Sequence, residues 1–531
     1  MAENDRRSQE TRLPSCVATS HWFLSSSERG NPSTRLDARH RDGAAWTEGN
    51  GVRPLIHGGT YFAELHHRVS NMRDGDLLMF VDWRGDPDES LTGSPGSGIG
   101  QVLADAARRG VDVRGLVWRS HGDRLAFSAA ENRHLGDEIN DAGGQCLLDM
   151  RVRIGGSHHQ KFVVLRHHDR PELDVAYLGG IDLCHSRRDD TSHGGDAQRQ
   201  PMAAVYGSQP PWHDAQLAIT GPAIGDVEAV FRERWEDPQH LSRSPLRWLA
   251  DRARHDNLRM TPLPPQRPDP VASGLLPVQL LRTYPRRVGG YPFAPRGERS
   301  VARGYAKAVN QARHLIYIED QYLWSPPIAS LFATALQRNP ELHLIAVLPH
   351  FPDQDGRISK PPNLLARDRA MAALRKAAPG RVAFYGLENP AGIPVYVHAK
   401  VCIIDDEWAS VGSDNFNRRS WTHDSELTAA VCDARYAQEL RLTLATEHLE
   451  LSGPTDDLDD PRNTFNAFAD SAALLQRWYD GGYQGARPPG RLRPVNEATL
   501  SRFTQVWATA LYRLIYDPDG RPLNLRMRGA F

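Results

Sequence analysis

The sequence predicts an α/β protein of two similar domains, each a mixed, largely parallel sheet flanked by helices, related by a pseudo-two-fold axis. Three observations carry this. Short apolar strands alternate with amphipathic helices, which implies right-handed crossovers and parallel pairing. The order of these elements recurs in the second half of the chain. A His-x-Lys triplet stands at the same point of each repeat, His159 with Lys161 and His398 with Lys400. With five Lys and 22 His in 531 residues, chance supplies about 0.2 such triplets.

Taken in order, residues 1 to about 20 read as disordered and the next twenty as an irregular, polar preamble with a few anchoring aromatics. YFAELHHRVSNM predicts a helix, Asp74-Gly75-Asp76 a turn, and residues 77–83 a buried strand. GIGQVLADAARRG is a helix closed by Gly110, followed by the strand VDVRGLVWRS. ENRHLGDEINDAGG is a further helix, leading to the strand of His159. The second half answers with GYAKAVNQARH and LIYIEDQYLW, SLFATALQRN and LHLIAVLPH, then RDRAMAALRKAAPG and RVAFYGL before the strand of His398.

After each triplet comes a short strand ending in a glycine signal, AYLGGIDL at 176–183 and ASVGSDNFN at 409–417. The glycine falls 20 residues after His159 and 14 after His398, so the first hairpin is longer, with the excess at RHHDRPELD. HDAQLAITGPA then aligns with HDSELTAAVCDA, matching Asp214 and Gln216 to Asp424 and Glu426. The domain reading is a polar segment 1–50, a first domain 51–250, a linker 251–275, a second domain 276–455 and an extension 456–531. That extension carries a helix whose stripe of Leu500, Phe503, Trp507, Leu511, Leu514 and Ile515 is expected to pack on the body, with membrane-surface anchoring as the alternative.

With 64 basic and 65 acidic residues, the chain has no general attraction for nucleic acid. It has no 18-residue apolar run and no signal-peptide pattern at its start, so the expectation is a cytoplasmic monomer without a membrane span, able to work peripherally at a membrane. Five cysteines without CxxC or Cys/His spacing point to free thiols and to no metal or other cofactor.

These residues resemble the phospholipase D superfamily, whose signature is His-x-Lys-x4-Asp twice, followed by Gly-Gly or Gly-Ser and an Asn or Asp. The second copy is complete: His398, Lys400, Asp405, then GSDN at 412–415. In the first copy Arg166 stands where the Asp belongs, and GGIDL follows at 179–183. IYIEDQYLW and PWHDAQLAITGPA look like phospholipase D proper. The resemblance implies a phosphodiesterase that takes phospholipid at a membrane surface and hydrolyses, or transphosphatidylates, its head group to phosphatidic acid. It implies His159 as nucleophile through a phosphohistidine, His398 as acid, and Lys161, Lys400 and Asp405 beside them. A nuclease of the same superfamily and an inactive phosphoester-binding homologue are the alternatives, the second because of Arg166.

The chemistry agrees. On a strand, residues i and i+2 share a face, so each triplet presents one imidazole and one ammonium together. Two facing copies bring nucleophile, acid and two cations to one phosphate. Asn415, and Asp182 at the matching place, are candidate phosphate contacts. Asp214 and Glu426 are candidate carboxylates for the second ring nitrogen of each His. Offset 7 from His159 puts Arg166 on the opposite face, with a role in folding, and Asp169 or Asp174 could supply the missing carboxylate. Trp212, Tyr322, Trp324 and Trp421 are candidate pocket aromatics, and Glu319 and Gln321 candidate polar contacts to substrate.

Overall fold

The computed structural model describes residues 16–40, 43–120, 129–242, 249, 260–453, 455–498 and 500–531. Eighteen strands are labelled in chain order. The first half holds β1 (Thr47–Ile56), β2 (Leu77–Asp82), β3 (Asp112–Trp118), β4 (Gln145–Asp149), β5 (Phe162–Arg166), β6 (Val175–Gly179), β7 (Trp212–His213) and β8 (Ala215–Thr220). The second holds β9 (Leu276–Tyr284), β10 (Glu298–Arg299), β11 (Leu315–Glu319), β12 (His343–Val347), β13 (Val382–Glu388), β14 (Pro394–Val397), β15 (Val401–Ile404), β16 (Trp408–Gly412), β17 (Glu426–Val431) and β18 (Leu492–Pro494).

The first sheet runs β4-β3-β2-β5-β6-β8-β1, and the second runs β13-β12-β11-β15-β16-β17-β9. Both orders and all senses correspond: three parallel strands, then four that alternate antiparallel. The predicted helices cover the predicted places, among them Gly58–Ser70, Ile99–Arg108, Ser300–Gln311 and Lys360–Ala377. Strands such as β2, β5, β6, β15 and β16 are buried along their whole length, which is why they read as continuous apolar runs. The longer first hairpin is present, with the short helix Pro171–Leu173 between β5 and β6.

Two strands escape the sequence pattern. β1 carries Gly49, Gly51 and Pro54, all turn signals, and β9 carries Pro277. They pair with each other antiparallel, Thr47 with Val278 and Asn50 with Leu276, and so join the two sheets. One core cluster accordingly takes residues from both halves, including Leu116, Val164, Leu217, Tyr317, Val401 and Leu427.

Both termini differ in part from expectation. Residues 1–15 lie outside the described residues, but the helix Cys16–Trp22 occupies part of the segment read as disordered, and helices Ser26–Arg29 and Arg35–Ala38 follow it. Trp22, Phe23 and Leu24 are buried, and Arg29 is fully buried against Asp37 and Glu298. At the other end the helix Arg502–Leu511 buries Ala508, and Tyr512 follows it into the body, while Phe503, Val506, Leu514 and Ile515 face outward. The stripe is therefore split: Leu500, Trp507 and Leu511 are half-buried as the helix packs on Lys360–Ala377, Phe503, Leu514 and Ile515 are exposed, and Tyr512 and Tyr516 add a contact to Trp324.

Candidate active site

Neither His-x-Lys triplet lies within a strand. His159 and Lys161 sit just before β5, and His398 and Lys400 between β14 and β15. Each triplet is instead laid against the other half. The N–H of His159 donates to Ser425 O (2.9 Å), and the N–H groups of His398 and Ala399 donate to His213 O (2.8 and 3.2 Å). The backbone then folds so that both ammonium groups donate to the carbonyl two residues earlier, Lys161 to His159 O at 2.8 Å and Lys400 to His398 O.

The orienting carboxylates are exchanged in the same way. His159 Nδ1 lies 2.9 Å from Glu426 Oε2, and His398 Nδ1 lies 2.6 Å from Asp214 Oδ2. The ladders correct the sequence alignment here. Gly179 pairs with Gln216 and Gly412 with Thr428, so Asp214 corresponds to Glu426, two residues away from the match to Asp424. A shift of two keeps the same face of the strand, and the carboxylates still meet the rings. Asp424 is engaged elsewhere, accepting from the backbone of Ser157 (2.8 Å) and from the Arg419 guanidinium at Nε (2.7 Å). The glycine signals have a steric reason, since a Cβ on Gly180 would strike the Asp214 carboxylate and one on Gly412 would strike Thr428.

Four cationic and imidazole groups thus converge. Burial, then Lys161 and Lys400, hold His159 well below the usual imidazole range. Burial and Lys400 push His398 down to about 3. Lys400 itself is pushed down to about 8 by burial, with Asp214 opposing and Lys161 adding to the shift. The two carboxylates differ. Burial would raise Asp214, but His398 and Lys400 outweigh it and hold it below the usual range. Glu426 is pushed up to about 8 by burial and by Asp424.

Asp182 does not take the expected place of a phosphate contact. Its carboxylate lies 3.3 Å from Lys161 Nζ and 3.6 Å from Arg187, and these cations outweigh burial to keep it ionised. Its buried neighbour Asp82 is raised instead, by burial and by Asp182, and receives the N–H of Leu183 at 2.8 Å. Asn415 is buried, and its Oδ1 has no hydrogen-bond partner among the described residues.

Asp405, expected among the catalytic residues, stands elsewhere. It accepts the N–H groups of Arg313, His314 and Leu315 at 2.6–2.8 Å and so ties the end of β15 to the start of β11. In the first half the same joint is made from the other side. Asp76 accepts from His168 N (2.8 Å), which frees the Arg166 position from needing an acid. Arg166 is buried between Asp174 (3.4 Å) and Glu228 (3.3 Å), while Asp169 is exposed. The missing carboxylate is therefore Asp76 at the joint, and Asp174 balances the arginine.

Trp212 stands 5.0 Å from the His398 ring, and the Arg187 guanidinium lies 3.9 Å from the centre of the Trp212 ring. Tyr322 and Trp324, with Gln321, Phe351, Arg367 and Tyr396, line a half-open cavity, and the Tyr396 ring stands 6.4 Å from that of His398. Trp421 is core, stacked on Tyr305. Glu319 is also internal, bonded to His213 and His448 at 2.7 Å each rather than open to substrate. Sequence reasoning missed Trp83, whose ring is 6.1 Å from His159 and 5.8 Å from Lys161 Nζ, and it missed Arg187. Trp83 follows a buried strand directly, which is the one signal that could have marked it.

Residues 78–261 match the family model described as Phospholipase D, and residues 305–446 match that described as Cardiolipin synthase, PLD-like domain, together more than half of the chain. The chain belongs to the phospholipase D superfamily. It is 25% identical to phospholipase D alpha 1 of Cynara cardunculus over 69% of this chain and 60% of that protein. It is 28% identical to phospholipase D alpha 2 of Oryza sativa subsp. japonica over 62% of this chain and 54% of that one. The chain thus spans between half and two thirds of the length of these curated phospholipase D relatives. Among solved structures, phosphatidylserine synthase of Haemophilus influenzae Rd KW20 shares the fold, with a TM-score of 0.51 and 12% identity, over 81% of this chain and 93% of that one.

Proposed function

We propose that this chain is a phosphodiesterase that releases the head-group alcohol of a glycerophospholipid and leaves phosphatidic acid. The observation that carries the reading is the exchanged pair of dyads, His159 with Glu426 and His398 with Asp214, set beside Lys161 and Lys400. His159 Nε2 attacks phosphorus, the bond from phosphorus to the head-group oxygen breaks, and His398 Nε2–H protonates the leaving alkoxide. His398 then takes a proton from water or an alcohol, whose oxygen displaces His159 from phosphorus. The two ammonium groups carry the charge on the phosphoryl oxygens throughout.

The roles of the two rings follow from their partners. The ring that carries a proton gains most from an ionised carboxylate, and Asp214 is held ionised beside His398. Glu426, far less acidic, stabilises an imidazolium less and suits an attacking neutral ring. A phosphodiester anion between the lysines offsets the repulsion that depresses His398, and so raises its proton affinity on binding.

The substrate class is supported by the outward stripe of Phe503, Val506, Leu514 and Ile515, flanked by exposed Arg502 and Arg513. Apolar groups beside cations match an anionic lipid surface, and Tyr512 and Tyr516 place the stripe against the Trp324 wall of the cavity. No helix among the described residues is long and apolar enough to cross a membrane. The test is head-group release from phosphatidylcholine and phosphatidylethanolamine vesicles, run beside cleavage of single-stranded DNA, for the wild type and for His159→Ala and His398→Ala. Lipid turnover lost in both variants is the expected result. Turnover of DNA alone would favour the nuclease, and turnover of neither the inactive homologue.

A further inference from the structure

Behind His398 lies a buried cluster that the reaction does not use. His57 follows β1, His193 sits in the long loop before β7, His213 ends β7, and Glu447 comes from the last turn of the helix Ala434–His448 in the second half. Glu447 is the centre. Its Oε2 is 2.9 Å from His57 Nε2, and its Oε1 is 3.1 Å from His193 Nε2 and 3.6 Å from His213 Nδ1. The three rings are at most 1% exposed. One nitrogen from each, with one carboxylate oxygen, lie within 4.8 Å of one another.

The far nitrogens of His193 and His213 are held, while Nδ1 of His57 has no partner among the described residues. His193 Nδ1 is 3.2 Å from the carbonyl of Trp212, which can only accept, so the proton is on Nδ1 and the Nε2 lone pair points at Glu447. His213 Nε2 donates to Glu319 Oε2 at 2.7 Å, which leaves its Nδ1 facing Glu447. Glu319 is held in turn by His448 Nε2 and Tyr317 OH, at 2.7 and 2.6 Å. Three imidazole nitrogens gathered on one buried carboxylate make a donor set that a cation can fill. Metal-bound imidazoles are oriented in this way, each giving its other N–H to a carboxylate or a carbonyl. His57 and His193 also hold positive φ, 67° and 51°, a strained backbone for a residue with a side chain.

We propose that His57 Nε2, His193 Nε2, His213 Nδ1 and Glu447 form a structural site for one divalent transition metal, of which zinc fits the donors best. Three imidazoles and one carboxylate complete a closed tetrahedron with no open position, the arrangement of a structural rather than a catalytic site. The metal would clamp the two halves, since Glu447 alone comes from the second. It would also steady the platform of the acid, because the His213 carbonyl holds His398 and Ala399 and the next residue is Asp214. No motif announces the site: its ligands are spread over 390 positions.

The test is metal analysis of the purified full chain by mass spectrometry, with cobalt uptake by the chelated protein followed by its visible spectrum. About one zinc per chain is expected, with cobalt giving the intense bands of a tetrahedral site. Chelation should lower Tm by about 5 °C or more, reversed by zinc. Glu447→Gln and His193→Ala should each lose most of the metal, whereas His159→Ala should keep it. A wild-type chain that takes up less than about 0.1 equivalent of zinc or cobalt, with Tm indifferent to chelator, overturns the proposal and leaves protons holding the cluster. The readouts are stoichiometry and melting, so they stand whichever substrate the active site turns over.

Discussion

The Asp214 carboxylate, from the first half of the chain, lies 2.6 Å from Nδ1 of His398, in the second. Asp214→Asn keeps the shape and removes the charge that stabilises a protonated ring. The expected cost is on the order of 10²–10⁴ in kcat with little change in KM, as for other His-orienting carboxylates. Gly180→Ala, which drives a methyl into the same carboxylate, should show the same kcat-weighted loss.

If His159 is the nucleophile, its phosphoryl adduct should accumulate when the second step is slowed. His398→Ala incubated with phosphorus-labelled lipid carrying a good leaving group, then quenched in detergent at alkaline pH where a phosphohistidine survives, should retain label. His159→Ala should retain none, and label on the second variant alone would reverse the assignment.

On the proposed mechanism Lys400 holds phosphate only while charged, and burial pushes its pKa down to about 8. The basic limb of kcat/KM should therefore fall as pH rises through about 8, and Lys400→Arg should move that limb upward. Lys400→Ala should cost about 4 kcal/mol of transition-state stabilisation, roughly a thousandfold, with Tm little changed.

Arg166 is buried between two carboxylates, so Arg166→Ala strands both. A loss of about 3–5 kcal/mol in urea unfolding is expected, with turnover per folded molecule near the wild-type value. Arg166→Asp adds a third acid and should be less stable still. A hundredfold gain in its turnover would show that the first motif is catalytically impaired.

Phe503→Asp with Leu514→Asp should weaken sedimentation with anionic vesicles at least tenfold, while turnover of a short-chain monomeric substrate stays unchanged. Equal losses on both substrates would place the stripe in folding instead.

Much of this was legible in the sequence because it is local. Buried strands read as apolar runs, helices carried glycine stops, and two triplets marked the chemistry. Asp214 and Glu426 were found because the strands that carry them repeat, even though the alignment slipped by two. What was hidden is tertiary. β1 looks like loop until β8 and β9 flank it, and Trp83 and Arg187 gain meaning only once the fold sets them beside His159 and Asp182. Asp405 was misread because a motif position was given a catalytic role when its carboxylate closes a strand joint.

A dimer of one repeated half would have to treat its two imidazoles alike, since symmetry gives both the same acid at the same distance. Fusing the copies into a single polypeptide lifts that constraint. With Asp on one side and Glu on the other, the rings are free to specialise, one toward bonding phosphorus and the other toward ferrying protons.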